Sequence, residues 1–388
     1  MRTLLSALAV GAACLVAAGA AWAEDGVTAS EIKVGGTNSA TGPVAVACTP
    51  EAQGASAYFK KLNESGGVNG RKITYDVLDD GYQPPRAIGN IRRLTQQDRV
   101  FAIFGGCGSA PAAAILPGLD KDGMPYIFPY AGLDALVVPP KKTVISLLPR
   151  YSTQLATVLP TIIEKTKPKT ASIFTFNISG QDVVRAAVKD VLDKAGVKIL
   201  GDTLFDVTSS ERTPYALQAK EQNADLVIMN DSTPGAARFV LELERQGWKP
   251  KALTGVSTLS DEAFLRAVGK AADGWVYAPG LVLPPTAPAA KDCVANLQAL
   301  DASATPGHYS MFGCLAAQVF AEGVKRAGPD VSRQKVLDAL EGLKDFETGI
   351  SGKVSFSPTD RMGLTSLYLF TVENGGFTVG QSIPITAK

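Results

Sequence analysis

Short continuous apolar runs alternate along most of the chain with longer stretches whose apolar positions recur every three or four residues. Such short runs, bounded by Gly, Pro or Asp, read as strands buried on both faces, as in parallel sheets. They fall at residues 32–37, 72–78, 100–104, 125–128 and 144–148, and a second series falls at 171–176, 197–205, 226–229, 251–254 and 275–277. Helical patterns lie between them, among others at 84–98, at 181–195 ahead of Gly196, and at 234–246 ahead of Gly247, glycine being the usual residue just past a helix end. Strands alternating with helices imply parallel sheets and right-handed crossovers. Ten strands exceed one comfortable twisted sheet, so the pattern divides into two doubly wound α/β lobes.

Beyond residue 277 the pattern changes. A proline-rich passage at 279–288 leads to helical patterns at 289–300, 309–327 and 332–343, then to hairpin-like runs at 352–356 and 366–372 with Asn374-Gly375 as turn chemistry. No Ser/Gly linker, heptad repeat or low-complexity tract occurs, which predicts lobes joined by several short crossings instead of one tether. Within the first series, the segment FAIFGGCGSAPAAA (101–114) stands out. Its apolar strand stops at Gly105-Gly106, and Ser109 follows on the N-terminal side of the next helix. In open α/β sheets ligands bind there, because loop amides and helix N-termini converge.

A chain of 388 residues, 46% apolar, can bury two ordinary cores. Its formal charge of +1 offers no electrostatic case for nucleic acid or an anionic membrane. Residues 1–23 read as a signal peptide: Arg2, an apolar run over 4–20, and Ala21-Trp22-Ala23 as a small-x-small cleavage site, with Glu24 starting the mature, exported protein. That run is barely long enough for a membrane span and no other segment resembles one, so stable membrane insertion is not expected. Cys14 does not make a lipidation site, since Gly11 stands where a large aliphatic is usual. Four cysteines remain, Cys48, Cys107, Cys293 and Cys314, and an even count in an exported chain favours disulfides with three connectivities. Cys48 and Cys107 each follow an N-terminal strand, while Cys293 and Cys314 flank a helical stretch and the loop 302–307. The expected pairs are therefore Cys48 with Cys107 and Cys293 with Cys314; free buried thiols are the alternative, above all for the second pair.

Catalytic chemistry has little to stand on. The one histidine, His308, precedes a helix beside Gly307 and reads as a surface or capping residue. P-loop, HExxH, CxxC and GxSxG patterns are missing, and Gly105-Gly106-Cys107-Gly108 lacks the third glycine of a dinucleotide fingerprint. Asp79-Asp80 reads as a solvated strand end, not a metal pair, because adjacent strand residues point to opposite faces. Lys141-Lys142 and Arg92-Arg93 read as solvated faces. No enzyme activity, metal or cofactor is expected.

The segments EIKVGGTNSATGPVA, LNESGGVNGRKI, FAIFGGCGSAPAAA, GMPYIFPYAG and GKAADGW occur in the order and spacing of the leucine/isoleucine/valine-binding protein family, the type I periplasmic solute receptors of ABC transporters. The resemblance covers about residues 30–380 and rests on the ordered set. It implies two parallel-sheet lobes joined by a three-segment hinge, lobe 1 being 24–148 plus 278–368 and lobe 2 being 149–277 plus 369–388, with the ligand in the cleft between them. Matched position by position, the hydroxyl that holds the ligand carboxylate falls on Ser109, preceded by Cys107 and Gly108. The next loop supplies Tyr130, Ala131 and Gly132, with a threonine in the family's amino-acid binders where Gly132 stands. The family's second-lobe aromatic wall falls on Gly180 and Ser232, neither of which stacks, and an aromatic near the third crossing matches Tyr309.

The acidic residue that takes a ligand ammonium aligns near Ser257-Thr258, where no carboxylate occurs. A buried ammonium without a counter-charge costs several kcal/mol, more than a hydroxyl hydrogen bond at about 1 kcal/mol returns. Asp231 is the candidate substitute; otherwise it reads as an exposed Asx turn before Pro234. The resemblance thus implies a monomeric, non-enzymatic receptor that carries a small organic solute to ABC permease subunits. The expected ligand is an aromatic or branched organic acid, with Tyr130 and Tyr309 as stacking faces. A receptor for branched-chain or other amino acids, or a periplasmic sensor, is the alternative. An enzyme on the same scaffold would need a base or metal cluster that the chain does not display.

Overall fold

The computed structural model describes residues 24–178, 180–206 and 209–386; the expected signal peptide, residues 1–23, lies outside them. The first sheet contains β1 (Glu31–Asn38), β2 (Lys72–Asp79), β3 (Ala102–Phe104), β4 (Tyr126–Ile127) and β5 (Val144–Ile145), all parallel in the order β2-β1-β3-β4-β5. The second contains β6 (Thr170–Phe176), β7 (Lys198–Phe205), β8 (Leu226–Asn230), β9 (Ala252–Thr254), β10 (Val276–Gly280), β11 (Ser366–Glu373) and β12 (Gly376–Pro384), in the order β12-β11-β10-β9-β8-β6-β7. Only the β10–β11 and β11–β12 pairs are antiparallel. Strands β3, β4, β8 and β9 are buried along their whole length, which is why each reads as an unbroken apolar run.

The helices are α1 (Ala45–Glu64), α2 (Pro84–Arg92), α3 (Ser109–Lys121), α4 (Asp134–Val137), α5 (Tyr151–Thr166), α6 (Gln181–Lys194), α7 (Thr213–Gln222), α8 (Thr233–Arg245), α9 (Glu262–Val268), α10 (Lys291–Leu300), α11 (His308–Ala327) and α12 (Arg333–Glu341). The chain passes between the sheets after β5, after β10 and ahead of β11. The intervening helices α10 and α11 pack on α1 and so cover the first sheet. Two glycines set the α1–α11 spacing: a Cβ on Gly54 would lie 1.9 Å from Ser310 O, and one on Gly313 would lie 2.0 Å from Glu51 O. Disulfides Cys48–Cys107 and Cys293–Cys314 form as expected, tying α1 to the β3–α3 loop and α10 to α11.

Two expectations need correction. The pattern at 84–98 is not one helix: α2 ends at Arg92 and a π-helical turn follows over Arg93–Gln97. The wider turn carries Leu94 into the core, where its side chain takes the space beside Gly35. Residues 352–356 are not a hairpin strand either, for Val354 makes only isolated bridges to Phe346 and Leu364. The Asn374-Gly375 turn, with φ of 55° and 74°, joins β11 to the mostly exposed β12. An Asn-Gly turn pairs the strands on its two sides, and β12 carries too few buried positions to announce itself. Among the described residues, no helix is long and apolar enough to cross a membrane, and no group of three or more His, Cys, Asp or Glu is placed to hold a metal ion.

Candidate functional site

Parallel strands send their C-terminal ends the same way, and here the ends of both sheets face one pocket. From the first sheet come Val44, Ala47 and Cys48 after β1, Tyr82 after β2, Cys107, Gly108 and Ser109 after β3, Tyr130 after β4 and Tyr151 after β5. From the second come Phe176 and Ile178 of the β6 end, Asp231 to Pro234 after β8 and Thr258 after β9; Tyr309 closes the wall from the start of α11. The cavity measures about 60 Å³.

The first-sheet wall is built around Ser109, the first residue of α3. Its hydroxyl caps no helix amide and stands 3.5 Å from the Tyr151 hydroxyl. Gly108 takes φ 124°, and the ring of Tyr82 lies over it, 3.2 Å from where a Cβ would be. Tyr82 itself adopts the left-handed φ of 62°, with its N–H donating to Asp80 Oδ1 at 2.9 Å. Burial pushes the pKa of its hydroxyl up to about 12. Asp80 is therefore no solvated strand end: it is fully buried and accepts from Thr37 at 2.8 Å and Ser39 at 2.6 Å. Asp79 faces outward and pairs with Arg86 at 3.2 Å.

Gly132 and Ala131 do not line the pocket. A Cβ on Gly132 would lie 2.4 Å from Tyr151 Cδ1, so the Tyr151 ring occupies the space a side chain there would need. Tyr130 does line it, but its ring meets Tyr309 and Phe312 edge-on at 5.2 and 4.8 Å. Its hydroxyl lies 3.1 Å from His308 Nε2 and 3.5 Å from Ser257 Oγ.

His308 is not a surface residue. It is buried, its Nδ1 lies 3.2 Å from Ser260 Oγ, and burial pulls its pKa down to about 3, leaving a neutral ring. The start of α11 is pressed against the start of α9, where two carboxylates satisfy its first amides: Glu262 Oε2 accepts from His308 N at 2.9 Å and Asp261 Oδ2 from Tyr309 N at 3.4 Å. Burial, helped by Asp261, pushes Glu262 up to about 8.

Across the pocket, Ser232 caps α8 by accepting from Gly235 N at 3.3 Å. Thr233 Oγ1 donates to Thr258 O at 2.8 Å and lies 2.7 Å from the Tyr309 hydroxyl. Ser257 stays behind the wall, its N–H donating to Gln154 Oε1 at 2.8 Å, and Gly180 caps α6 outside the pocket with φ 86°. Asp231 is neither an exposed Asx turn nor a free carboxylate. It is fully buried, and Arg212 donates to it twice, Nε to Oδ2 at 2.6 Å and Nη2 to Oδ1 at 3.1 Å.

Of the residues singled out from the sequence, the pocket brings together Cys48, Cys107, Gly108, Ser109, Tyr130, Asp231, Ser232 and Tyr309. Sequence reasoning missed Tyr82, Tyr151, Phe176, Ile178 and Thr233, and of the aligned pair Ser257-Thr258 the pocket takes Thr258. Their shared signal is position: each ends a strand or lies a few residues past its C-terminal end.

A family model described as "Periplasmic binding protein" matches residues 31–376. Leu/Ile/Val-binding protein homolog 7 of Brucella melitensis is 26% identical over 236 residues, which is 58% of this chain and 58% of that protein. A branched-chain amino acid ABC transporter protein from Thermus thermophilus with bound valine superposes with a TM-score of 0.83 at 16% identity, covering 92% of this chain and 97% of the other. A solute-binding protein of an R. palustris ABC transporter in complex with benzoate gives 0.81 at 21% identity, covering 92% and 98%. Both structures share the two-lobed α/β fold described above.

Proposed function

The chain belongs to the periplasmic binding protein family, and on that footing we propose that it is an exported receptor, not an enzyme, that binds a small organic acid between its lobes and delivers it to an ABC permease. Aromatic acids are its preferred ligands. One observation carries this reading: among the described residues Asp231 is the charged side chain lining the pocket, and Arg212 already occupies both of its oxygens. A ligand ammonium would be buried without a counter-charge, at a cost of several kcal/mol. A carboxylate fares better, because α3 and α8, each 13 residues long, both begin at the pocket, with Ser109 and Ser232 beside their first amides. Four tyrosines and Phe176 supply apolar faces for a ring. The benzoate complex of a structural neighbour is consistent with that ligand class.

The second reading is a receptor for branched-chain amino acids, favoured by the valine complex and by the relative's name. A thermal-shift screen separates the two. A ligand at a hundred times its dissociation constant adds about 2.7 kcal/mol to the folded state. Benzoate or a substituted benzoate should bind at least about tenfold tighter than leucine, a difference of about 1.4 kcal/mol. Tighter binding of leucine or valine than of every acid tested establishes the amino-acid reading instead.

A further inference from the structure

Resting on the receptor reading above, we infer that Tyr82 and Tyr151 are the specificity-determining residues of the pocket, selecting a flat aromatic acid over a puckered acid of the same size. Each ring occupies space that a neighbouring loop gives up by carrying glycine. The Tyr82 ring lies on Gly108, whose Cβ would stand 3.2 and 3.3 Å from two ring carbons, and the Tyr151 ring lies on Gly132, whose Cβ would stand 2.4 to 2.8 Å from three. The two pairs come from different strand ends, β2 with β3 and β4 with β5, and both tyrosines line the same cavity.

The two rings are held differently. Tyr82 carries a bulky side chain at φ 62°, a conformation that persists only where the surroundings over-determine it. Its ring packs against the Gly108 backbone, so the plane of the ring is set before any ligand arrives. Tyr151 is anchored at its backbone, where its N–H donates to Gly132 O at 2.8 Å. Its hydroxyl stands 3.5 Å from Ser109 Oγ, long for a hydroxyl pair, so both groups keep capacity for a ligand oxygen set between them. An acid whose carboxylate lies at Ser109 therefore extends its body alongside two fixed aromatic planes. A flat ring packs against such planes closely, whereas a saturated ring holds its axial hydrogens against them.

Calorimetric titration with benzoate and cyclohexanecarboxylate tests this, since the two share a carboxylate and differ in flatness. Wild-type protein should prefer benzoate by about tenfold or more. Tyr82→Leu and Tyr151→Leu should each cut that preference to about twofold or less, while Tyr82→Phe and Tyr151→Phe keep it. Tyr151→Phe should also weaken both acids alike, by about three- to tenfold, because the hydroxyl serves the carboxylate. Equal affinity of the wild type for the two acids overturns the assignment even where a leucine variant fails to fold, as does a leucine variant that binds benzoate and keeps the full preference. Wild-type protein that binds leucine and neither acid overturns the organic-acid reading itself, and this assignment with it.

Discussion

Arg212 grips Asp231 in the interior of the second lobe, with both side chains almost fully buried and the guanidinium lying 4.5 Å from the centre of the Phe205 ring. The pair is 19 residues apart in sequence, and it engages both carboxylate oxygens of the acid that lines the pocket. Removing one partner of a buried pair leaves an uncompensated charge. Arg212→Met should therefore destabilise the protein by about 3–5 kcal/mol in urea unfolding. Asp231→Asn should also cost stability yet leave organic acids ranked above leucine in calorimetric titration. Loss of all ligand binding in an Asp231→Asn protein that remains folded would instead make Asp231 a ligand contact.

Ser109 makes no capping bond, so its hydroxyl is available to a ligand at little structural cost. Ser109→Ala should weaken binding by about 1–2 kcal/mol, about tenfold in affinity. The unfolding midpoint should shift little, since no helix cap is lost. Calorimetry beside thermal unfolding reads both. Unchanged affinity removes Ser109 from the site.

Both disulfides should be intact in protein secreted to an oxidising compartment, as peptide mapping without reduction will show. Cys48–Cys107 spans 59 residues and Cys293–Cys314 spans 21. Loop-closure entropy sets their stabilisation at about 4 and about 3 kcal/mol. Because Cys48 and Cys107 also line the pocket, a Cys48→Ala, Cys107→Ala double variant should lose ligand affinity as well as stability. Retained affinity in that variant means the bridge only stabilises the fold.

Stability should fall on both sides of mildly acidic pH. Burial pushes Glu51 and Glu262 up to about 8, so the folded state holds protons that the unfolded chain releases from pH 4.5 upward, and their stabilising contribution is lost as pH rises towards 8. Burial pulls His308 down from 6.5 to about 3, so its contribution is present above pH 6.5 and lost as pH falls towards 3. Each group contributes at most about 1.4 kcal/mol per pH unit within its window. Glu51→Gln should flatten the loss between pH 5 and pH 8 in urea unfolding. An equally steep loss in that variant would show that Glu51 ionises normally.

A cavity of about 60 Å³ holds only a few water molecules' worth of space, too little for a ring-bearing acid. The two lobes should therefore part to admit ligand and close on it, since only the closed form contacts ligand from both sheets. Solution scattering should show a smaller radius of gyration with saturating benzoate than without it. An unchanged radius would mean that the cavity enlarges by local side-chain movement.

The two doubly wound sheets were legible in the sequence for a physical reason. Strands such as β3, β4 and β8, buried on both faces, must be apolar at every position, and runs such as Leu226 to Met229 show this without any knowledge of neighbours. The position of Ser109 was legible too, since a strand that stops at two glycines ahead of a helix marks the ligand end of a parallel sheet. The pair Cys48–Cys107 was legible because each cysteine follows a strand of the first series, and Cys293–Cys314 because the two flank one helical stretch and its loop. Where periodicity is weak, as in β12, or continuous across a change of pitch, as at the π-helical turn after Arg92, the same reading failed.

What the sequence alone could not decide was the state of each polar side chain in the cleft, because that state belongs to pairs brought together by folding. Nothing local in Asp231 names Arg212 as its partner, and nothing in His308 says that Tyr130 and Ser260 will enclose it. Gly132 reads as a missing hydroxyl until the Tyr151 ring is seen in its place. Period and composition report burial, which depends on each residue's own hydrophobicity; charge state and specificity depend on distances between residues far apart in the chain, and those exist only after the sheets have packed.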